Sequence, residues 1–305
     1  MIGVDVGGAN LKVIDNGGAA TVHYCPLWRG APIVDLLSSY AGQEAAVVMS
    51  GELADCFSSK GEGIVFIVEQ IRAVLPGARF YGTDGRFHDG PDPSLAAANW
   101  LASADWLRET HPDAVLLDVG STTADIVPLG DFGALLGLTD LLRLQRGYLR
   151  YTGLLRTTIP AIVREVEIEG VSTPVSSEFF AQTADVHLVL GHIGPDEYLC
   201  DAPDRGPRTR EGGLRRLART VCADLGEIGE KEVIGIARQV WEAQRDEVAN
   251  AVRAAVEGSG AREVVAAGIG ARLFAPVVGG RELPDLADAL PAHAVRALAC
   301  RNGET

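Results

Sequence analysis

No HxxxH or HExxH frame relates the six histidines of this 305-residue chain, and its five cysteines (Cys25, Cys56, Cys200, Cys222, Cys300) include no CxxC pair. A zinc site therefore has little support, and thiols odd in number and far apart read as unpaired groups of a reducing compartment. No apolar run reaches the roughly 18 residues that a membrane span needs, and no charged-then-apolar leader precedes the first strand, so a cytoplasmic protein is expected. Basic charge is also short: 27 Lys and Arg against 41 Asp and Glu give a net charge of -14, a field that opposes nucleic acid and anionic membranes. The local exception, Arg205, Arg208, Arg210, Arg215, Arg216 and Arg219, reads as a solvated helix face with a basic loop or as a grip on an anionic ligand.

What is present is globular: 47% hydrophobic and 22% charged residues, in a chain long enough for two lobes rather than one core. A repeat places the division. Asp5-Val6-Gly7-Gly8-Ala9-Asn10-Leu11-Lys12-Val13 recurs in kind at Asp118-Val119-Gly120-Ser121-Thr122-Thr123-Ala124-Asp125-Ile126, each copy leaving an apolar strand. Small residues at a strand turn let backbone N–H groups approach phosphate oxygens, and an Asp at the strand end can hold a hydrated divalent cation. Either copy alone is more often an ordinary hairpin turn than a phosphate loop; two together predict a clamp for a polyphosphate. The predicted lobes are 1–112 and 113–305, with the C-terminal segment packing back on the first.

Hydrophobic spacing predicts strands at Ile2–Val6, Leu11–Asp15 and Ala20–Tyr24, a helix at Pro32–Tyr40, a buried strand at Ala45–Met49, a helix at Gly63–Leu75, a short strand near Arg79–Tyr81 and a long helix over Pro93–Thr110, a βββαβα core give or take a strand. The second lobe restarts at Ala114. Beyond it are predicted a hairpin about Glu169-Gly170, helices at Glu178–Leu190, Thr209–Gly226 and Glu230–Gly258, and a last strand, Glu263–Ala267, running into Gly268-Ile269-Gly270. Those two glycines suit a nucleotide cradle, or a plain strand-to-helix turn.

The order DVGGANLK, DVGSTTAD, AAGIGAR resembles the actin/Hsp70/sugar kinase superfamily. That resemblance implies an α/β, two-lobed actin-like ATPase (ribonuclease H-like) fold with a duplicated core and a cleft between the lobes. DVGSTTADI is similar to the hydantoinase and oxoprolinase branch. Further segments, SGELADCF, AAANWLASA, YTGLLRTTIPAI, SEFFAQTADVHLVLG and RLARTVCADL, resemble tetrahydromethanopterin-linked one-carbon pathway proteins associated with methanofuran or methylofuran biosynthesis. The activity implied joins an aminomethylfuran methyl diphosphate to the phenol of γ-glutamyltyramine, tyramine or a tyrosine-derived variant, releasing diphosphate.

Such a reaction needs its leaving group stabilised above all. Asp5 and Asp118 are the candidate Mg²⁺ ligands. Gly7, Gly8, Gly120 and Ser121 offer backbone N–H groups, while Asn10, Lys12, Thr122 and Thr123 offer side-chain donors to phosphate. Glu52 and Asp84, each beside glycine at a strand end, are candidate acceptors for the phenol proton or simple turn residues. Arg156 is a candidate grip on diphosphate or a glutamyl carboxylate, or a buried structural arginine. Lys12 has an alternative as a solvated strand residue, Thr123 as a core β-former, Asp125 as a turn or cap, and Asp185 and His187 read as satisfied helix groups. Mg²⁺ is the expected cofactor and ATP is not; the expected partners are the two small substrates, without nucleic acid or membrane, and a homodimer is allowed. The rival readings are an ATP-dependent kinase or amide-activating ATPase using the same clamp with Gly268 and Gly270, and a non-catalytic nucleotide-binding regulator.

Overall fold

The computed structural model describes residues 1–30, 32–283 and 289–302. Its first sheet carries β1 (Ile2–Val6), β2 (Asn10–Ile14), β3 (Ala20–Tyr24), β4 (Ala45–Met49), β5 (Arg79–Tyr81) and β6 (Phe87–His88) in the order β3-β2-β1-β4-β5-β6. The second carries β7 (Ala114–Val119), β8 (Ala124–Pro128), β9 (Leu149–Arg150), β12 (Glu263–Ala267) and β13 (Arg281–Glu282) in the order β13-β12-β7-β8-β9. Both repeat one plan: three antiparallel strands, then two more added parallel to the first. This is the duplicated ribonuclease H-like core of the two-lobed actin-like fold.

Strands β1 and β4 are buried along their whole length, as parallel strands covered on both faces must be. On one face Ile2, Val4 and Val6 meet helices α1 (Ile33–Leu37) and α2 (Lys60–Val74) through Ile33, Leu37, Ile64, Ile67 and Ile71. On the other, Ala46 and Val48 share a core with Trp100 and Leu101 of α3 (Asn99–Leu107), with Val295 and Leu298 of the C-terminal helix, and with Leu116 and Val265 of the second sheet. That core therefore ties the two sheets together.

The outer face of the second sheet is covered by two helices. One is the long helix over Leu225–Ser259, broken at Gly229, and the other spans Ala271–Val278. Helix α4 (Asp140–Arg146) lies between β8 and β9; between β9 and the two covering helices come α5 (Ile159–Ile162), the hairpin β10 (Glu165–Ile168) and β11 (Val171–Pro174), α6 (Thr183–Val189) and α7 (Arg210–Arg219). The long helix is thus α8, the next α9, and the C-terminal Leu290–Asn302 is α10.

Three predicted helices shorten where the backbone turns left-handed or extended. The helix predicted over Pro93–Thr110 starts at Asn99, because Ala97 has φ +47° and separates it from a 3-10 turn at Pro93–Leu95. Helix α7 ends before Cys222, φ +58°. Residues before α6 are extended, with Thr158 and Gln182 bridged. The hairpin turn falls at Glu169-Gly170, both with positive φ, the geometry a two-residue turn requires.

Candidate active site

The carboxyl ends of β1, β4, β7 and β12 supply the site, as expected where ligands bind beyond the strand ends of an open α/β sheet. Asp5 stands opposite Lys12 across β1 and β2, and Asp118 opposite Asp125 across β7 and β8. The repeat therefore places carboxylate against ammonium in one lobe and carboxylate against carboxylate in the other. Lys12 Nζ lies 3.3 Å from Asp5 Oδ2, while Asp5 Oδ1 is buried without a hydrogen-bond partner. Burial raises the Asp5 pKa against the pull of Lys12.

Burial, then the charge of Asp125, pushes Asp118 up to about 7, with Lys12 opposing and Asp5 adding to the rise. Four charged groups thus share one neighbourhood. Asp125 is held by Arg143, which also binds Asp140 at 2.8 Å and lies with its guanidinium carbon 4.3 Å from the centre of the Trp100 ring. The Asp118 side chain makes no hydrogen bond or ion pair among the described residues. The orphaned Asp5 oxygen and the unpaired Asp118 are the groups that suit a divalent cation. Among the described residues no cluster of three or more ligating side chains exists. A two-carboxylate site completed by water and phosphate oxygens is what Mg²⁺ accepts.

The two turns share a geometry that corrects part of the expected clamp. Gly7 N–H donates to Asn10 O and Gly120 N–H to Thr123 O, each at 2.9 Å, so neither amide is left for phosphate. The carbonyls that follow are tied back by later chain: Gly8 O by Leu27, Ala9 O by Cys25, Gly120 O by Leu154, and Ser121 O by Leu155 and Arg156. The N–H groups of Gly8, Ala9, Ser121 and Thr122 have no acceptor among the described residues. The half-buried Asn10 and Thr123 side chains likewise have no recorded partner, and Ser121 Oγ and Thr122 Oγ1 lie 3.4 Å apart.

Two glycines of the segments SGELADCF and YTGLLRTTIPAI, neither of them a candidate site residue, shape these turns. A Cβ on Gly51 would lie 3.0 Å from the Gly7 carbonyl, and one on Gly153 would collide with the Ser121–Thr122 backbone. Gly268, φ +83°, lies against the Asp118 carboxylate and the Val119 carbonyl, and Gly270 packs on Val119 and donates its N–H to Val119 O at 2.9 Å. Packing of β12 against β7 is therefore reason enough for both glycines.

Of the remaining candidates, Glu52 is 1% exposed, its Oε2 has no partner, and burial raises its pKa. Asp84 accepts from Arg86 N–H and contacts His88 Nε2, both at 3.1 Å, which makes it a residue of its own turn. Arg156 stacks across the lobes on Trp28, 4.7 Å from the ring centre, and forms no ion pair among the described residues. Beside it Asp201 takes a 2.8 Å bridge from Arg29 and a 3.2 Å hydrogen bond from Tyr24, both of the first lobe.

The arginine cluster is a solvated loop and helix face with one exception: Arg205, Arg208, Arg210, Arg215 and Arg219 are exposed and only Arg216 turns inward. Arg216 is fully buried on Asp185 at 2.7 Å, Arg219 binds Asp204, Arg210 binds Glu230, Arg215 binds Glu211 and Arg208 donates to Tyr198 O. Asp185 is satisfied, and so is His187, which contacts Gln244 Oε1 at 3.1 Å and His192 Nδ1 at 3.0 Å. Among the described residues no helix is long and apolar enough to cross a membrane.

A family model described as hydantoinase/oxoprolinase matches residues 43–284. A Methanocaldococcus jannaschii protein named (4-{4-[2-(gamma-L-glutamylamino)ethyl]phenoxymethyl}furan-2-yl)methanamine synthase is 33% identical over 287 residues, covering 90% of this chain and 87% of that protein. Its namesake from Methanococcus vannielii is 36% identical over 162 residues, covering 53% and 73%. Among solved structures, an archaeal actin homologue with ADP gives a TM-score of 0.48 at 14% identity, covering 98% of this chain and 99% of that one. A ROK family glucokinase from Streptomyces griseus gives 0.46 at 12% identity, covering 98% of each.

Proposed function

Since the chain belongs to the hydantoinase/oxoprolinase family and is an enzyme, we propose that it is a transferase forming an aryl ether between a furan-bearing methyl diphosphate and the phenol of γ-glutamyltyramine. The 33% identity to the Methanocaldococcus jannaschii synthase carries this reading. The product in that name has a phenoxymethyl link on the furan, and its simplest assembly joins a phenol oxygen to a furfuryl carbon bearing a leaving group.

In that reaction the phenol oxygen forms the new bond to the methylene carbon. The carbon–oxygen bond to diphosphate breaks with its electron pair, and the phenol proton passes to a base. The electron-rich furan stabilises positive charge on carbon, so the protein acts mainly on the departing diphosphate. The N–H groups of Gly8, Ala9, Ser121 and Thr122, the Lys12 ammonium and the Asn10 and Thr123 side chains are its donors. Asp5 and Asp118 would hold Mg²⁺, which when bound supplies positive charge to the diphosphate oxygens. Glu52, a carboxyl whose pKa burial moves toward neutrality, is the proton acceptor of choice; Asp84 is engaged in its turn.

A second reading, an ATP-dependent kinase or amide-activating ATPase, draws on the turn Gly268-Ile269-Gly270 at the same rim. The two separate by the fate of phosphate. With Mg²⁺, the purified protein should convert aminomethylfuran methyl diphosphate and γ-glutamyltyramine to the ether and diphosphate without nucleotide, followed by mass spectrometry. Ether formed only with ATP, with ADP appearing in step, would establish the second reading.

A further inference from the structure

A cavity of about 450 Å³ opens between α2, the turn preceding α3 and the segment that enters α4. Its walls are mainly apolar, with Ile64, Val65, Pro93 and Ala96 from the first lobe and Leu138 from the second. Its volume falls in the range of small-molecule sites, about 300–1,000 Å³. Lys60 lines it and has no carboxylate partner among the described residues.

Glu52 connects this cavity to the first phosphate turn. Its carboxyl feels the charge of Lys60 and the backbone of Ala97, the neighbour of wall residue Ala96. Its backbone lies so close to Gly63 on α2 that no side chain fits there. The residue before it, Gly51, presses on Gly7. A buried carboxyl oxygen without a partner thus belongs to the residue that links the turn that would hold a leaving diphosphate, through Gly51, to α2, a wall of the apolar chamber. A buried polar group in that position calls for a ligand atom to satisfy it.

We propose that the cavity takes the aromatic ring of a phenolic acceptor, the ring between Ile64, Pro93, Ala96 and Leu138 and the hydroxyl turned toward Glu52 and Lys60. This rests on the ether-forming reading. The proton leaves the phenol for the Glu52 carboxylate, the oxygen lone pair forms the bond to the methylene carbon, and the bond to diphosphate breaks with its pair on diphosphate. Lys60 lowers the cost of negative charge on the phenol oxygen, whose unperturbed pKa is about 10.

Tyramine is the probe, its binding measured by saturation-transfer NMR and its KM by ether formation. Ala96→Leu narrows the chamber from inside, and Val65→Trp, at an exposed position of α2, narrows it without entering the core. Both should weaken tyramine binding and raise its KM at least tenfold, with the KM of the furan diphosphate unchanged. Lys60→Met should move the rising limb of the pH–rate profile to higher pH, and Lys60→Arg should restore it. Parent-like tyramine binding and KM in both cavity variants would overturn the assignment. If the parent forms no ether from any phenol while the cavity variants still abolish tyramine binding, the ether-forming reading falls and the aromatic site stands.

Discussion

Asp5 and Asp118 differ from Asp125 and Asp185 in what holds them. Asp125 has Arg143 and Asp185 has Arg216, whereas Asp5 keeps one oxygen without a partner and Asp118 has none for either. Asp5→Asn and Asp118→Asn should each lower turnover by at least ~10²-fold, about 2.7 kcal/mol of transition-state stabilisation, with the circular dichroism spectrum retained. Near-parent activity of either variant at saturating Mg²⁺ would remove the two-carboxylate assignment. Arg156 makes a different demand. Its guanidinium stacks on Trp28 without an acid partner, so Arg156→Lys keeps the charge but loses the planar fork and should raise the KM of an anionic substrate several-fold. A parent-like Arg156→Lys beside an early-melting Arg156→Ala would make the residue structural.

Buried His187 gives a pH dependence of known sign. Burial, and then the charge of His192, pulls its pKa from 6.5 down to about 3. Between those values the unfolded chain binds a proton that the folded chain refuses, so stability falls as pH falls through that window, by up to about 1.4 kcal/mol per unit. Urea midpoints of His187→Gln at pH 7 and pH 5 should differ less than those of the parent; an equal difference would show that other groups set the slope. The strand-end aspartates were legible in the sequence because Asp is depleted in buried strands. The use of the Gly7 and Gly120 amides was not, since a hydrogen bond closing a turn leaves no mark on which residues are written there.

At the scale of elements, periodicity located the strands well because each buried run is bounded by glycine. It overextended helices where a single non-glycine residue, such as Ala97 or Cys222, adopts positive φ under tertiary constraint. Gly51 and Gly153 were missed for a related reason: their importance lies in what crosses them from another element. Gly268 combines both constraints. Gly268→Ala adds the left-handed penalty of roughly 1–2 kcal/mol to a collision with Asp118, so it should lower the melting temperature and depress turnover together. A stable variant of parental activity would mean that β12 can withdraw from β7.

For the whole molecule, the duplicated sheet order was implied by the repeated Asp-Val-Gly turn, and a C-terminal segment packing back on the first lobe was expected, but not the residues that would make the contact. Helix α10 lies on β1 and β4, with Gly3 directly beneath Ala292, and Arg296 donates to Met1 O at 2.9 Å and to Asn16 O at 3.0 Å. A chain ending at residue 283 should therefore expose that face of the first sheet, losing soluble yield and cooperative unfolding; a soluble, cooperatively melting truncation would show the first lobe complete without it.

The same helix has a consequence for synthesis. The ribosome delivers β1 before every other strand and α10 after all of them, so until α10 emerges the opening strands stand with one apolar face open to whatever is nearby. The first lobe cannot mature when its own strands emerge; it waits for the second to be made. A chaperone that shelters nascent chains should accordingly hold this protein until α10 has emerged, and a ribosome stalled at residue 283 should keep β1 sensitive to protease.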